Sequence, residues 1–314
     1  MRRFWIVAIF TLACTNSGTP SVEPVVDRPF VIVLGTAQDG GYPQAGCNRP
    51  HCEDGWLDYG RRRFATSLAL VDPVSGERWL FEATPDFRDQ LRMLDKTAPA
   101  DRSPGLSGIF LTHAHIGHYS GLVHLGREVL GARDVPVFAM ARMEEFLKKN
   151  GPWNQLVTLG NISIVPINDG REITLNDRLS VTPFLVPHRD EYSETVGFRI
   201  DGPSRSAIFI PDIDKWERWD VPVETLIRDV DLAWLDGTFL SEGELPGRSM
   251  AEVPHPFIVE SMERFISLTK NEKKRIRFIH LNHTNPALQR GSASWRTVNE
   301  RGFAIAEQGE RFEL

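Results

Sequence analysis

From residue 30 onward, short apolar runs alternate with polar breaks rich in glycine, proline, aspartate and asparagine. Residues 30–34 (FVIVL), 67–71, 79–81, 109–112, 135–139, 162–167, 179–186, 196–200, 206–210, 232–235 and 276–280 have the length and β-branched or aromatic content of strands. Helical spacing replaces that pattern over 87–94, 142–150 and 257–270. Residues 120–130 also read as a helix, with Leu122, Leu125, Val129 and Leu130 on one face. Asp72–Glu77 (DPVSGE) predicts a hairpin turn, and 303–306 with 311–314 suggests a closing hairpin. Strands and helices interleave without a linker, which predicts a single α/β domain over 29–314.

The first 28 residues differ. Met1-Arg2-Arg3 precedes the apolar run 4–13, which ends at Leu12-Ala13-Cys14. A charged start, a brief apolar middle and a small residue before the break predict a secretory signal over 1–13. The run is too short to span a bilayer as a mature helix. Leu-Ala-Cys resembles the lipobox of bacterial lipoproteins, with Cys14 as the lipidated residue and 14–28 as a flexible tether. Thr11 stands where that motif usually has leucine. The expectation is an exported protein on the periplasmic side of a membrane, held there by its lipid alone.

The 314 residues are 41% hydrophobic and 10% aromatic, ample for a large core. The net charge of −6 gives no support to nucleic-acid binding, which wants a basic face. A small-molecule partner is the expectation.

The chemistry gathers at strand ends. LTHAHIGHYSGL places His113, His115 and His118 within six residues after an apolar run. Alternate residues of an extended segment point the same way, so His113 and His115 can project together. Neutral imidazole is the commonest metal ligand, and H-x-H-x-x-H after a strand suits zinc, iron or manganese. His188, Asp212, Asp236 and His280 each follow another apolar run. Singly, such residues more often cap helices or satisfy backbone groups; together they suggest a shared site. Asp39 and Asp86, on loops after strands, could fix histidine tautomers from behind or simply form turns. Cys47, His51 and Cys52 offer either three ligands of a structural zinc or a disulfide. His124 and His255 lack the strand-end setting.

These residues resemble the metallo-β-lactamase superfamily, whose first motif is H-x-H-x-D-H after a strand. Later positions match His188, Asp212 and His280. Within the superfamily, residues 34–43, 83–86, 236–239 and 280–286 (HLNHTNP) are similar to the pyrroloquinoline quinone biosynthesis protein B group. The resemblance implies a four-layer αββα sandwich with a metal site at one edge. It implies a first site of His113, His115 and His188 with an open position, and Asp212 as a metal-bridging, water-orienting residue. His118, His280 and His283 would hold a second metal or hydrogen-bond an oxyanion. Gly117 stands where the motif has its aspartate, a residue of the second site. Either His283 compensates or a single metal binds.

A catalytic zinc with an open position would make hydroxide available near neutral pH. One or two zinc ions, with iron or manganese as alternatives, would then serve a hydrolase of a small ester, phosphodiester or related substrate. Asp212 and His118 would be its catalytic groups. An iron-dependent oxidative enzyme is the alternative implied by the quinone-biosynthesis resemblance, although an export signal argues against a cytoplasmic biosynthetic step. A non-catalytic metal-binding lipoprotein is the third reading. Specificity is expected from loops such as 241–256.

Overall fold

The computed structural model describes Met1 and residues 27–245, 247, 249–250 and 253–314. The expected signal after Met1, the expected lipidation site Cys14 and nearly all of the expected tether lie outside the described residues.

Fourteen described strands form two seven-stranded sheets. The first contains β1 (Phe30–Gly35), β2 (Ser67–Asp72), β3 (Glu77–Phe81), β4 (Gly108–Phe110), β5 (Val135–Ala139) and β6 (Ile162–Pro166). The second contains β7 (Ile173–Asn176), β8 (Leu179–Leu185), β9 (Val196–Asp201), β10 (Ser206–Ile210), β11 (Leu232–Asp236), β12 (Ile276–Ile279) and β13 (Ala304–Ile305). The last strand, β14 (Arg311–Glu313), returns to the first sheet beside β1. The orders are β14-β1-β2-β3-β4-β5-β6 and β13-β12-β11-β10-β9-β8-β7.

The uniformly apolar strands follow from burial on both faces. On β1, Val31 and Val33 join the cluster between the sheets, with Leu68, Phe81, Phe110 and Trp234. Ile32 and Leu34 face the other way, against Phe87 and Leu94 of the helix Phe87–Thr97. On the second sheet, Ile208, Leu235 and Phe278 pack against Ile258, Phe265 and Val298. Two sheets face to face with a helical layer outside each make the four-layer αββα sandwich. Phe81, Phe110 and Phe138 stack across adjacent strands at ring spacings of 5.0 and 4.2 Å. Each such buried ring contributes roughly 1.5–3 kcal/mol of transfer free energy.

Strand direction places the chemistry. β3, β4, β5 and β6 run parallel, as do β10, β11, β12 and β13. β1 lies antiparallel to β2, which is antiparallel to β3, so β1 shares the direction of β3 and β4. By the same double reversal, β8 shares the direction of β10. The sheets meet at this edge: Val196 N donates to Thr112 O at 3.1 Å, and Leu281 N to Thr36 O at 2.9 Å. The C-terminal ends of β1, β3, β4, β8, β10, β11 and β12 therefore gather together.

Three expectations are corrected. The helix expected over 120–130 is the four-residue helix Ile116–Tyr119 followed by the 3-10 turn Ser120–Leu125. It stops where Gly126 N turns back to Val123 O, and Val129 and Leu130 are exposed. The amphipathic stretch 257–270 breaks into Ile258–Arg264, a 3-10 turn Phe265–Ser267 and Lys270–Lys273. The closing hairpin is absent among the described residues: β13 pairs with β12, and β14 with β1 in the opposite sheet.

Candidate metal centre

Seven strand ends carry the centre. The turn after β4 supplies His113, His115 and His118; the loops after β8 and β10 supply His188 and Asp212. Asp236 closes β11, and His280 follows β12 with φ +65°, a left-handed conformation rare outside glycine. Glu82, directly after β3, has φ +78° and is fully buried. Two such residues at one site mark places where the surrounding structure holds the backbone against its preference.

His113, His115, His188 and Asp212 form the first group, with one donor atom each within 4.8 Å of the others. His113 Nε2 lies 2.7 Å from His115 Nδ1 and 3.4 Å from Asp212 Oδ2. His188 Nε2 lies 3.3 Å from the same oxygen. Behind these atoms, Thr112 Oγ1 sits 2.9 Å from His113 Nδ1, Asp214 Oδ1 3.2 Å from His188 Nδ1, and Glu191 Oε2 3.0 Å from His115 Nε2. Burial, reinforced by the His118 and His115 rings and opposed by Asp212, holds the His113 pKa well below the imidazole range; burial also lowers that of His115, against Glu191. Both rings are thus kept neutral, the state a ligand needs.

Asp39, His118 and His280 form the second group. Asp39 Oδ1 lies 3.2 Å from His118 Nε2 and 3.6 Å from His280 Nε2. Asp212 Oδ2 is 3.7 Å from His118 Nε2, so this carboxylate stands between the two groups. The Thr238 hydroxyl donates to Asp236 Oδ1 at 2.7 Å and lies 2.9 Å from His280 Nδ1. That leaves it accepting from Nδ1–H and turns the Nε2 lone pair inward. Burial alone would raise the pKa values of Asp39 and Asp212, yet the surrounding imidazoles hold both well below the carboxylate range. For His118 burial is outweighed by Glu82 and Asp39, which raise it.

Residue spacing carried no signal for His255, Glu82, Glu191 or Asp214. His255 Nδ1 lies 2.8 Å from Asp236 Oδ2 and 3.1 Å from Asp212 Oδ1. Burial would lower its pKa, but Asp236 and then Asp212 bring it to about 10. His124, by contrast, stacks on Phe87 at 5.7 Å, away from the centre.

Two assignments change. Asp86 orients none of these histidines: its Oδ2 accepts from Ala65 N at 2.8 Å, and burial raises its pKa. His283 joins Cys47, His51 and Cys52, with donor atoms mutually within 4.8 Å. It is therefore the fourth member of that cluster, its ring 5.6 Å from that of His51. Both cysteines are free, and Cys47 Sγ lies 3.5 Å from His51 Nε2. Burial and the adjacent Cys47 push the Cys52 thiol up to about 12. Two thiols and two imidazoles are a zinc donor set.

The beta-lactamase superfamily domain model matches residues 77–281. The chain belongs to that superfamily. Coenzyme PQQ synthesis protein B of Ruegeria pomeroyi is 27% identical over 304 residues, covering 89% of this chain and 98% of that one. The Zn2+-bound PqqB structure from Methylobacterium extorquens superposes with a TM-score of 0.76 at 24% identity, covering 91% of this chain and all of that one. A diphosphatase of the PhnP family gives a TM-score of 0.61 at 22% identity, covering 91% and 97%. The superfamily implies resident metal, and the residues present fit one. Six buried atoms of the two groups have no hydrogen-bond partner: His118 Nδ1 and Nε2, His188 Nε2, His280 Nε2, Asp39 Oδ1 and Asp212 Oδ1. Buried polar atoms are rarely left unpaired, and four of these, His118 Nε2, His188 Nε2, His280 Nε2 and Asp39 Oδ1, face the converging donor groups.

Proposed function

We propose that this superfamily member is a metal-dependent hydrolase of a small ester, phosphodiester or related substrate. The supporting observation is the pair of adjacent donor groups, with unpartnered buried nitrogens in each, on either side of Asp212 Oδ2. His113, His115, His188 and Asp212 would hold one divalent cation. When bound, such a cation lowers the pKa of a water and polarises the oxygen under attack. The chain's own residues do the rest. Asp212, held ionised among the imidazoles, presents a fixed acceptor for the nucleophile's proton. His255, kept cationic between Asp236 and Asp212, fixes the orientation of that carboxylate. Asp214 and Thr112 hold the rings of His188 and His113 in place.

The signal-like N-terminus and Cys14 support export and lipid anchoring, so the substrate would be met outside the cytoplasm. The nitrogen and carboxylate donors also suit iron, and the relatives are named for PQQ synthesis, which supports an iron-dependent oxidative enzyme as the second reading. The test is anaerobic purification with metal identification, followed by a screen on bis(p-nitrophenyl) phosphate and p-nitrophenyl acetate. Zinc or manganese with chelator-sensitive turnover is expected. Iron without hydrolysis would transfer support to the oxidative reading.

A further inference from the structure

Gly117 and Asp39 occupy one another's space. A Cβ added at Gly117 would lie 2.2 Å from Asp39 Oδ1, 2.5 Å from its Cα and 2.7 Å from its Cβ. No side chain at 117 is compatible with Asp39 where it stands, because part of the clash is with backbone. The volume beside His118 is thus filled from a different segment, the turn after β1.

That turn is firmly placed. Gln38 N donates to Leu281 O at 2.8 Å, Leu281 N donates to Thr36 O at 2.9 Å, and Gly41 N closes onto Gln38 O at 2.8 Å. The Asn282 side-chain amide donates to that of Gln38. Asp39 is therefore clamped one residue past the segment that follows His280. Its side chain is one-third exposed overall, yet Oδ1 is buried and without a hydrogen-bond partner. The atoms it faces, His118 Nε2 and His280 Nε2, are buried and unpartnered as well.

We propose that Asp39 is the carboxylate ligand of a second divalent-cation site completed by His118, His280 and the shared Asp212, and that Gly117 is the vacancy that admits it. The hydrogen bonds that would otherwise satisfy these three orphaned atoms are absent because the atoms converge on one another. This inference builds on the metal-centred reading above, but cation counting tests it whether or not an ester is turned over.

The experiment counts zinc and manganese in purified protein by mass spectrometry, with circular dichroism on the same samples. A manganese-loaded wild-type centre is expected to show an exchange-coupled pair by electron paramagnetic resonance. Asp39→Asn, nearly isosteric, is expected to lose one equivalent, weaken the second cation at least ~100-fold and leave an uncoupled spectrum. Gly117→Asp alone is expected to lower the melting temperature, whereas Asp39→Gly with Gly117→Asp returns both the second equivalent and the coupling. A folded Asp39→Asn variant with wild-type stoichiometry and coupling would overturn the proposal, as would a single uncoupled cation at the wild-type centre beside that of the outer cluster. Failure of the hydrolase screen with two coupled cations present would sink only the functional reading.

Discussion

Two clusters of metal-competent side chains share two loops and differ in nearly everything else. The chain after β1 carries Asp39 into the buried strand-end centre and Cys47, His51 and Cys52 into the outer cluster. The chain after β12 sends His280 to the first and His283 to the second. The centre offers nitrogen and carboxylate donors, with His113, His118 and His188 nearly inaccessible. The cluster offers two sulfurs and two imidazoles, with His51 exposed. Hard, charged donors suit an open, reactive site; thiolates suit a closed structural one. With a cation bound, the cluster would clamp the loops that build half of the centre, whereas His113, His115, His188 and Asp212 come from strands it does not touch.

The strongest way to separate the two is through the residue the two groups of the centre share. Asp212→Ala is expected to empty both positions of the centre and lower turnover of any ester the screen returns by on the order of 1,000-fold. The outer cluster keeps its cation, so total stoichiometry falls to one. Retention of cations in the centre would show that Asp212 is not the common ligand.

His283→Ala attacks the other side. Loss of one zinc equivalent is expected, with a fall of about 1–2 kcal/mol in unfolding free energy, because a cross-link between two loops is removed while the sandwich core remains. The second cation of the centre weakens about 10-fold through the displaced turn at Asp39, and the first is unchanged. Equal weakening of both positions would break the comparison, since it would mean the clamp acts on the whole edge.

Thr238→Val keeps the shape and removes the hydroxyl between Asp236 and His280. Freed to take either tautomer, His280 should bind the second cation ~10- to 100-fold more weakly, with little change at the first. Isothermal titration of chelated protein measures both steps.

Much of this architecture was readable and some was not, for physical reasons. Strands buried on both faces must be uniformly apolar, so 30–34, 206–210 and 232–235 announced themselves. His113, His115 and His118 were visible because their spacing is local. Asp39 reads in sequence as a partner behind the histidines or a turn aspartate, since its place directly beside His118 and His280 depends on the pairing of Gln38 with Leu281 far along the chain. His283 was placed with His280 on the strength of proximity in sequence, but the chain turns between them: Asn285 N bonds back to Asn282 O at 2.9 Å. His255 follows no apolar strand and reaches Asp236 across a loop, which no periodicity records. The helix expected over 120–130 failed because Gly126 and Gly131 end it after a short 3-10 turn, with Gly131 at φ +55°.

Glu191→Ala should have the smallest effect, and its size tests how far burial governs the centre. Glu191 accepts from His115 Nε2 at 3.0 Å, which turns the Nδ1 lone pair toward His113 Nε2. In form this is the service Thr238 performs for His280. The settings differ: the Glu191 side chain is 48% exposed and His115 is the most accessible ring of its group at 15%, whereas Thr238 and His280 are wholly buried. Water can replace an exposed acceptor but not a buried one, and salt screens the pair. Removal of Glu191 should therefore weaken the first cation only about 3- to 10-fold, with a difference that shrinks as ionic strength rises, and Glu191→Gln should recover most of it. A loss as large as that of Thr238→Val, insensitive to salt, would mean that the 190–194 loop closes over His115 and that the first position is as deeply enclosed as the second.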